Sequence, residues 1–462
     1  MMKRIFTFIL CLFTFGIATA GFAGTITVSS LPELQAAIDK SAAGDVILLK
    51  NGVYTSTNDI VVRKKGTAAK PITIAAESIG GAEITGAGGI KIAGPSAYIV
   101  IRGFKFTHLS GKAETGEGSS FCRWTRNIFE TTGEGNYLTV FGSDQQIDHN
   151  TFQNKNALGK FIGVRGTGKQ IAERLWIHHN YFHNFSQQRG NGAEAVQFGL
   201  SGFSLSSSNS IFEYNLFENC EGENELLSVK SSAITVRYNT IRDCKAQLTL
   251  RHGNFNQVYG NYFNNTPGIR IFGDDHIIYS NYFENCNSAI NIGNGGAEVA
   301  DGAPLTSHDR PDRVLIVFNT LINNKSNITL NPRSPIGLGA TAVTIANNLI
   351  QGGDEAAVIR GPYVNSKWEG NVIFNVKGPG NIPEGAYRTI DPKLQRDATG
   401  TYHLSAASQT LKATGNYPAI AFDMDGQPCK MPLQVGADQP STVPVKAKIL
   451  TPAMVGHTAD LK

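Results

Sequence analysis

Cysteine, long apolar runs and an excess of one charge are all scarce in this sequence. Six cysteines occur in 462 residues. Cys11 lies in the N-terminal apolar stretch, and Cys122, Cys220, Cys244, Cys286 and Cys429 have neither the number nor the spacing of a disulfide framework or a thiolate metal site. The apolar run from Ile5 to Ile17 is too short to span a bilayer and no stop-transfer pattern follows, which argues against a membrane span. Lys3 and Arg4 before that run, and small residues from Ala18 to Ala23 after it, have the layout of a cleavable signal peptide over residues 1–23. No lipid-attachment cysteine ends it, so the mature chain is expected to be secreted or periplasmic. Without Lys3 and Arg4, the 41 basic residues fall to 39 against 37 acidic ones. That balance excludes a field that captures nucleic acid globally, while a local basic patch remains able to grip a polyanion.

What the chain has in quantity is glycine, 50 residues of it, together with asparagine and short runs of valine, isoleucine and phenylalanine. Asparagine followed by apolar residues recurs at Asn127, Asn150, Asn180, Asn215, Asn239, Asn261, Asn281, Asn319, Asn348 and Asn371. The intervals are 23, 30, 35, 24, 22, 20, 38, 29 and 23 residues, about one coil of a parallel β-helix with loops let out of the longer ones. The expected fold is all-β, a parallel β-helix solenoid, in which stacked coils align each asparagine so that its amide bonds the next. Cys220, Cys244 and Cys286 each follow a repeated asparagine by five residues, so they are expected to stack inside the helix as small hydrophobes.

A solenoid end must be covered, and residues 24–60 have the means. Ser30 and Glu33 stand at capping-box spacing, and Leu34, Ala37 and Ile38 form an apolar stripe at helical spacing. A capping helix over the first coil is therefore expected. Residues 61–374 carry the coils, with glycine-rich inserts at 190–193 and 293–296 rising as loops beside a groove. Residues 375–462 are expected to be final coils and a C-terminal cover, in which Asp425 stands in a surface turn without further ligands.

Chemistry-bearing residues concentrate between Glu223 and His252. In Gln247–Arg251, Leu248 and Leu250 point one way, so Thr249 and Arg251 point the other. Lys230 lies one coil earlier on the outside by the same alternation, and Arg270 one coil later between Ile269 and Ile271. Five residues from Glu225 to Lys230 break strict parity, so a bulge must intervene if Glu223, Glu225 and Lys230 share a groove. Carboxylates with an asparagine suit a hard cation such as calcium, although a solvent-exposed ion-pair network accounts for the same residues.

Glu223-Asn-Glu225, Lys230-Ser231 and Leu248-Thr-Leu-Arg251-His252-Gly253, preceded by Gly190-Asn191-Gly-Ala-Glu194 and followed by Gly268-Ile-Arg270-Ile-Phe-Gly273, resemble polysaccharide lyase family 6, the alginate lyases and chondroitinase B. The resemblance implies a right-handed parallel β-helix, calcium in the groove, and β-elimination on a uronate-containing polysaccharide. It implies Lys230 as base and Arg251 as acid or leaving-group stabiliser, with Asn191, Glu223 and Glu225 on calcium. The family often has two glycines between that asparagine and the following glutamate; here Ala193 replaces the second, so Glu194 is a further candidate for the site. Arg165, Glu194, His252 and Arg270 are expected at the substrate. Alginate, with mannuronate stretches preferred, is the expected substrate, and dermatan sulfate the alternative.

Two other classes remain open on residues alone. A pectinase-like hydrolase needs paired carboxylates about 6.5–9.5 Å apart; Asp274 and Asp275, adjacent in a strand, would face opposite ways. A non-catalytic carbohydrate-binding helix would display Tyr181, Tyr262 and Tyr282 outward as sugar platforms, whereas their place in the repeat favours coil packing.

Overall fold

A computed structural model describes residues 24–408 and 411–461; the expected signal peptide, residues 1–23, lies outside them. The chain winds as a right-handed parallel β-helix of three long sheets, two of 14 strands and one of 12, with successive coils adding one strand to each. The coil's short strands, mostly three residues with a buried–half-buried–buried pattern such as Ile90–Ile92, reflect period-2 alternation: every second side chain enters the core.

The interior is one continuous core from Val28 to Ala386. Phe106, Phe129, Phe152, Phe182 and Phe217 stack with centroid separations of 4.9, 4.7, 5.1 and 4.6 Å, close to the spacing of neighbouring strands. Cys220, Cys244 and Cys286 are buried and unpaired, as their equal offsets required.

The ten repeated asparagines form a ladder at the corner between the two 14-stranded sheets. Asn239 is representative: its Oδ1 accepts from Asn215 N and Nδ2, while its Nδ2 donates to Phe212 O, Arg237 O and Asn261 Oδ1. The residue before each asparagine is left-handed. Arg126, His149, His179, Tyr214, Tyr238, Ser280, Phe318 and Asn347 have φ of 51–56°, and Gly260 and Gly370 have 63° and 65°. Side chains in that region cost about 1–2 kcal/mol each. The buried amide network on the next residue offsets this and holds the corner.

At the N-terminal end the helix Leu31–Lys40 covers the first coil, with Leu34, Ala37 and Ile38 buried. Ser30 Oγ accepts from Glu33 N, and Glu33 reaches back to Ser29 N, one residue before the cap. Past Thr389 the chain leaves the coils and lies over the outer faces of the two 14-stranded sheets, packing on Tyr238, Tyr259 and Tyr279 and on Tyr282, Leu349 and Val372. The stacked Tyr262 and Tyr282 rings, 5.3 Å apart, meet this segment, so they do not form an open sugar platform. Asp425, expected alone in its turn, instead lies beside His403 and Asp438. No described helix is long and apolar enough to cross a membrane.

Candidate active site

The 12-stranded sheet carries the chemical residues, with Lys230, Arg251 and His252 at the C-terminal ends of their strands, Arg270 in mid-strand and Glu225 at the start of its strand. In its middle coils, Val196, Leu227, Leu248, Ile269 and Ile290 align inward, and Gln197, Ser228, Thr249, Arg270 and Asn291 align in register between two such inward rows. Strands Glu225–Lys230 and Gln247–His252 pair parallel with register shifts between Glu225 and Leu227 and between Val229 and Lys230. These are the irregularities the parity of Glu225 and Lys230 demanded. The second shift sets Lys230 opposite His252 and leaves Arg251 bulged between rungs, which re-aims its side chain.

Two charge centres result. In the first, Glu194, only 2% exposed, accepts from Gln197 Nε2 at 2.6 Å and faces Lys230 Nζ at 3.1 Å. Lys160 Nζ lies 3.1 Å from its other oxygen, close enough for an ion pair but without hydrogen-bond alignment, so that oxygen has no hydrogen-bond donor. Burial pushes the Glu194 carboxyl up, but Lys160 and Lys230 outweigh it and hold the group down to about 2. In the second, Glu225 is bonded by Ser228 Oγ and Arg270 Nη2, with Arg251 Nε at 3.5 Å. Glu223 lies between them electrostatically: burial, then the charges of Glu194 and Glu225, push its carboxyl up to about 7.

The remaining expected residues distribute around these centres. Asn191 is exposed on its loop and lines, with Glu223 and Lys245, a cavity of about 300 Å³. Arg165 is held by its own strand, Nη1 donating to Val164 O at 2.7 Å; burial lowers its pKa and the charge of Glu194 opposes that. His252, 1% exposed, sits beneath Arg251, with Nε2 3.2 Å from Arg251 Nη1 and 3.1 Å from Ser201 Oγ. Burial first, then the charges of Arg251 and Lys230, drive it down to about 3, so it is neutral at neutral pH. Asp274 and Asp275 do not face apart. Asp275 is left-handed at φ 55°, and both carboxylates reach Arg313, at 3.2 and 2.9 Å. One guanidinium thus occupies the pair a hydrolase would use.

Sequence reasoning missed Lys160, Ser228, His308 and Arg333. His308 comes from the long insert after Asn281 and stands 3.3 Å from Arg333 Nη2, with its ring 4.6 Å from that of Phe272. Burial and then Arg251, Arg333 and Arg270 hold it near 3. Arg333 carries no periodic signal: it lies three residues past the end of strand Ile328–Leu330, whereas Arg251 directly follows Leu250 within its strand.

Buried polar atoms without partners gather here: Gln197 Oε1, Thr249 Oγ1, His252 Nδ1 and Arg270 Nε. Unsatisfied groups of this kind are costly unless a ligand completes them. The donors near Glu223 are all oxygen, and their mutual repulsion is what a hard divalent cation relieves, so the residues present fit calcium in chemistry. Glu225 would have to share itself with Arg251 and Arg270.

A family model described as Chondroitinase B matches residues 28–337. The chain belongs to the chondroitinase B family, polysaccharide lyase family 6. Solved structures share its coil. A point variant of the family 6 alginate lyase AlyGC is 25% identical with a TM-score of 0.75, over 84% of this chain and 56% of that one. AlyGC itself is 24% identical with a TM-score of 0.76, over 92% and 59%. A mannuronic acid specific family 6 lyase from human gut microbiota is 24% identical with a TM-score of 0.67, over 79% and 91%. The chain thus spans somewhat more than half the length of AlyGC. None of the curated proteins searched matches it.

Proposed function

We propose that the chain is a calcium-dependent polysaccharide lyase that cleaves alginate by β-elimination outside the cytoplasm, leaving 4,5-unsaturated uronate ends. The observation that carries this is the junction of Lys230 and Arg251 on two bulged, paired strands, each side chain tied to a buried carboxylate and both bordering the neutral His252. Calcium, held by Asn191, Glu223 and Glu225 with Glu194 beside them, would neutralise the uronate carboxylate and so acidify the neighbouring C5 proton.

Lys230 takes the C5 proton. The C5–H electron pair becomes the C4–C5 double bond, the C4–O bond breaks, and the glycosidic oxygen leaves with its pair. Lys230 acts as base only as the free amine, so its pair with Glu194 opens when substrate enters. Arg251 stabilises the departing oxygen as a fixed positive charge, since guanidinium rarely gives up a proton. Water supplies the final proton, because His252 carries no imidazolium proton at neutral pH. Arg165, Arg270 and Arg333 extend the positive groove along which successive carboxylates lie.

Alginate is favoured by the Asn191-to-Glu194 and Leu250-to-Gly253 elements, which resemble the alginate-cleaving branch, and by the 25% identical alginate lyase variant. Mannuronate stretches are the preferred part of the polymer. The test is a panel of poly-mannuronate, poly-guluronate, mixed alginate and dermatan sulfate, with calcium present, followed by the ultraviolet absorbance of the unsaturated end. Fastest elimination from poly-mannuronate is expected. Faster elimination from dermatan sulfate than from every alginate fraction would overturn the substrate and leave the Lys230 and Arg251 roles standing.

A further inference from the structure

Far from the groove, the C-terminal cover holds a second concentration of charged side chains. Among the described residues, one group of histidine and carboxylate side chains brings its ligand atoms within 4.8 Å of one another: His403, Asp425 and Asp438. We propose that these three residues form a binding site for a divalent transition cation of the zinc class.

The separations argue for an ion between the groups. His403 Nδ1 is 3.5 Å from Asp438 Oδ2 and 3.6 Å from Asp425 Oδ2. A charge-assisted hydrogen bond between imidazolium and carboxylate would close to about 2.7–2.9 Å. Ligands at about 2.0–2.1 Å from a tetrahedral zinc stand about 3.3–3.4 Å from each other, near the spacing found. The ring is also turned for the task. Nε2 faces Asp397 Oδ2 at 3.4 Å, so with the proton on Nε2 the Nδ1 lone pair is directed toward Asp425 and Asp438, the tautomer a metal on Nδ1 requires. A nitrogen with two carboxylates suits zinc better than calcium, whose ligands are oxygen.

Independent of the three ligands, the surroundings are short of hydrogen-bond donors. Asp423 is fully buried; its Oδ1 accepts from Asp425 N and Gln427 N, and its Oδ2 has no partner. Gln434 Oε1, also buried and unpartnered, lines a cavity of about 410 Å³ with Asp425 and Asp438. No described residue donates a hydrogen bond to the Asp425 carboxylate, whereas Asp438 Oδ2 already takes Leu404 N at 2.7 Å. Three carboxylates, Asp397, Asp425 and Asp438, thus face one imidazole, and even as imidazolium it leaves an excess of negative charge that a divalent ion offsets.

Position assigns the consequence. His403 belongs to the short antiparallel pair of Tyr402–His403 with Gln395–Arg396, Asp425 to the turn after Asp423, and Asp438 to the segment after Val435. Met424 and Val435 of those segments pack in one cluster with Leu349 and Val372 of the coils. A shared ion therefore fastens three stretches of the cover to the solenoid. A cavity of about 330 Å³ lined by Tyr262, Thr401, His403 and Asp425 adjoins it and leaves room for water as the remaining ligand.

The test uses the full mature chain, stripped of metal by chelation and dialysed into calcium, which keeps the groove carboxylates occupied. Zinc chloride is then titrated calorimetrically and bound zinc is counted by elemental analysis. Wild type and Glu223→Gln are each expected to take up one zinc per chain and to melt at higher temperature with it. Asp425→Asn and Asp438→Asn are expected to bind zinc at least ~10-fold more weakly, with unchanged far-ultraviolet dichroism and polysaccharide cleavage. Because Asp438 also takes a backbone N–H, Asp425→Asn decides alone if Asp438→Asn fails to fold. Unchanged zinc uptake by Asp425→Asn, loss of uptake in Glu223→Gln only, or no uptake by wild type would each overturn the site and leave an imidazolium among carboxylates.

Discussion

Replacing Asn239 with alanine removes five hydrogen bonds from the centre of the asparagine ladder, where the side chain is 1% exposed. The costs are unequal. Asn215 N loses its only side-chain acceptor inside the corner, and an orphaned buried donor costs about 1–3 kcal/mol. Asn215 Nδ2 keeps Ile177 O and Glu213 O, so its loss is small. The carbonyls of Phe212 and Arg237 lose one donor each, and Asn261 loses one of two. With the vacated volume, about 2–4 kcal/mol is expected, a large share of the ~5–15 kcal/mol that stabilises an ordinary domain. Lys245→Ala is the control, since the Lys245–Glu221 pair is largely exposed, with 72% of the lysine side chain open, and such pairs contribute little. A stacked solenoid need not unfold in one step, so urea melts should be joined to hydrogen exchange at the Asn215 amide. Faster exchange there, and a midpoint well below that of Lys245→Ala, are expected. Equal midpoints with unchanged protection would show that the ladder does not hold the corner.

Alkylation of the folded protein should spare Cys220, Cys244 and Cys286, whose burial pushes the Cys286 thiol up to about 12; rapid labelling of all three under native conditions would contradict the interior stack. His178, His252 and His276 are held by burial near 3, 3 and 4 in the folded chain, below the ordinary value near 6.5. The unfolded chain therefore binds protons first, so their contribution to stability is complete above about pH 6.5 and is lost as pH falls toward 4. Melts across that range should show the decline, and a flat profile would refute the assignment. Chelation should abolish cleavage while leaving the β-sheet dichroism of the coils, and calcium should restore it; full activity after verified calcium removal would contradict the metal's role.

Features that repeat were legible in the sequence, because stacking forces equal residues into equal environments. The ladder asparagines, the three inward cysteines and the helix with Leu34, Ala37 and Ile38 all follow from spacing and burial alone. The bulge before Lys230 also followed, from parity between Glu225 and Lys230. The left-handed corner did not, since His149, Tyr238 and Phe318 are residue types that avoid that conformation and adopt it only because the next residue's amide network offsets the strain. Contacts made by insert loops were equally hidden. His308 reaches Arg333 and Phe272 through a loop whose path no periodicity encodes, and Asp425 meets His403 and Asp438 only because the cover folds back. Within the site, burial sets Glu194 and His252 beneath Lys230 and Arg251, a depth that no spacing in the sequence encodes.

The role of Lys230 is the centre of the account, and single-turnover kinetics of Lys230→Ala on alginate with calcium test it most directly. Polymer binding and the β-sheet signal should stay near wild type, while formation of the unsaturated uronate end slows by at least the ~100-fold typical of a positioned proton-transfer group. An unsaturated product formed by this variant at close to the wild-type rate, or chain cleavage by wild type that yields no unsaturated end, would contradict it.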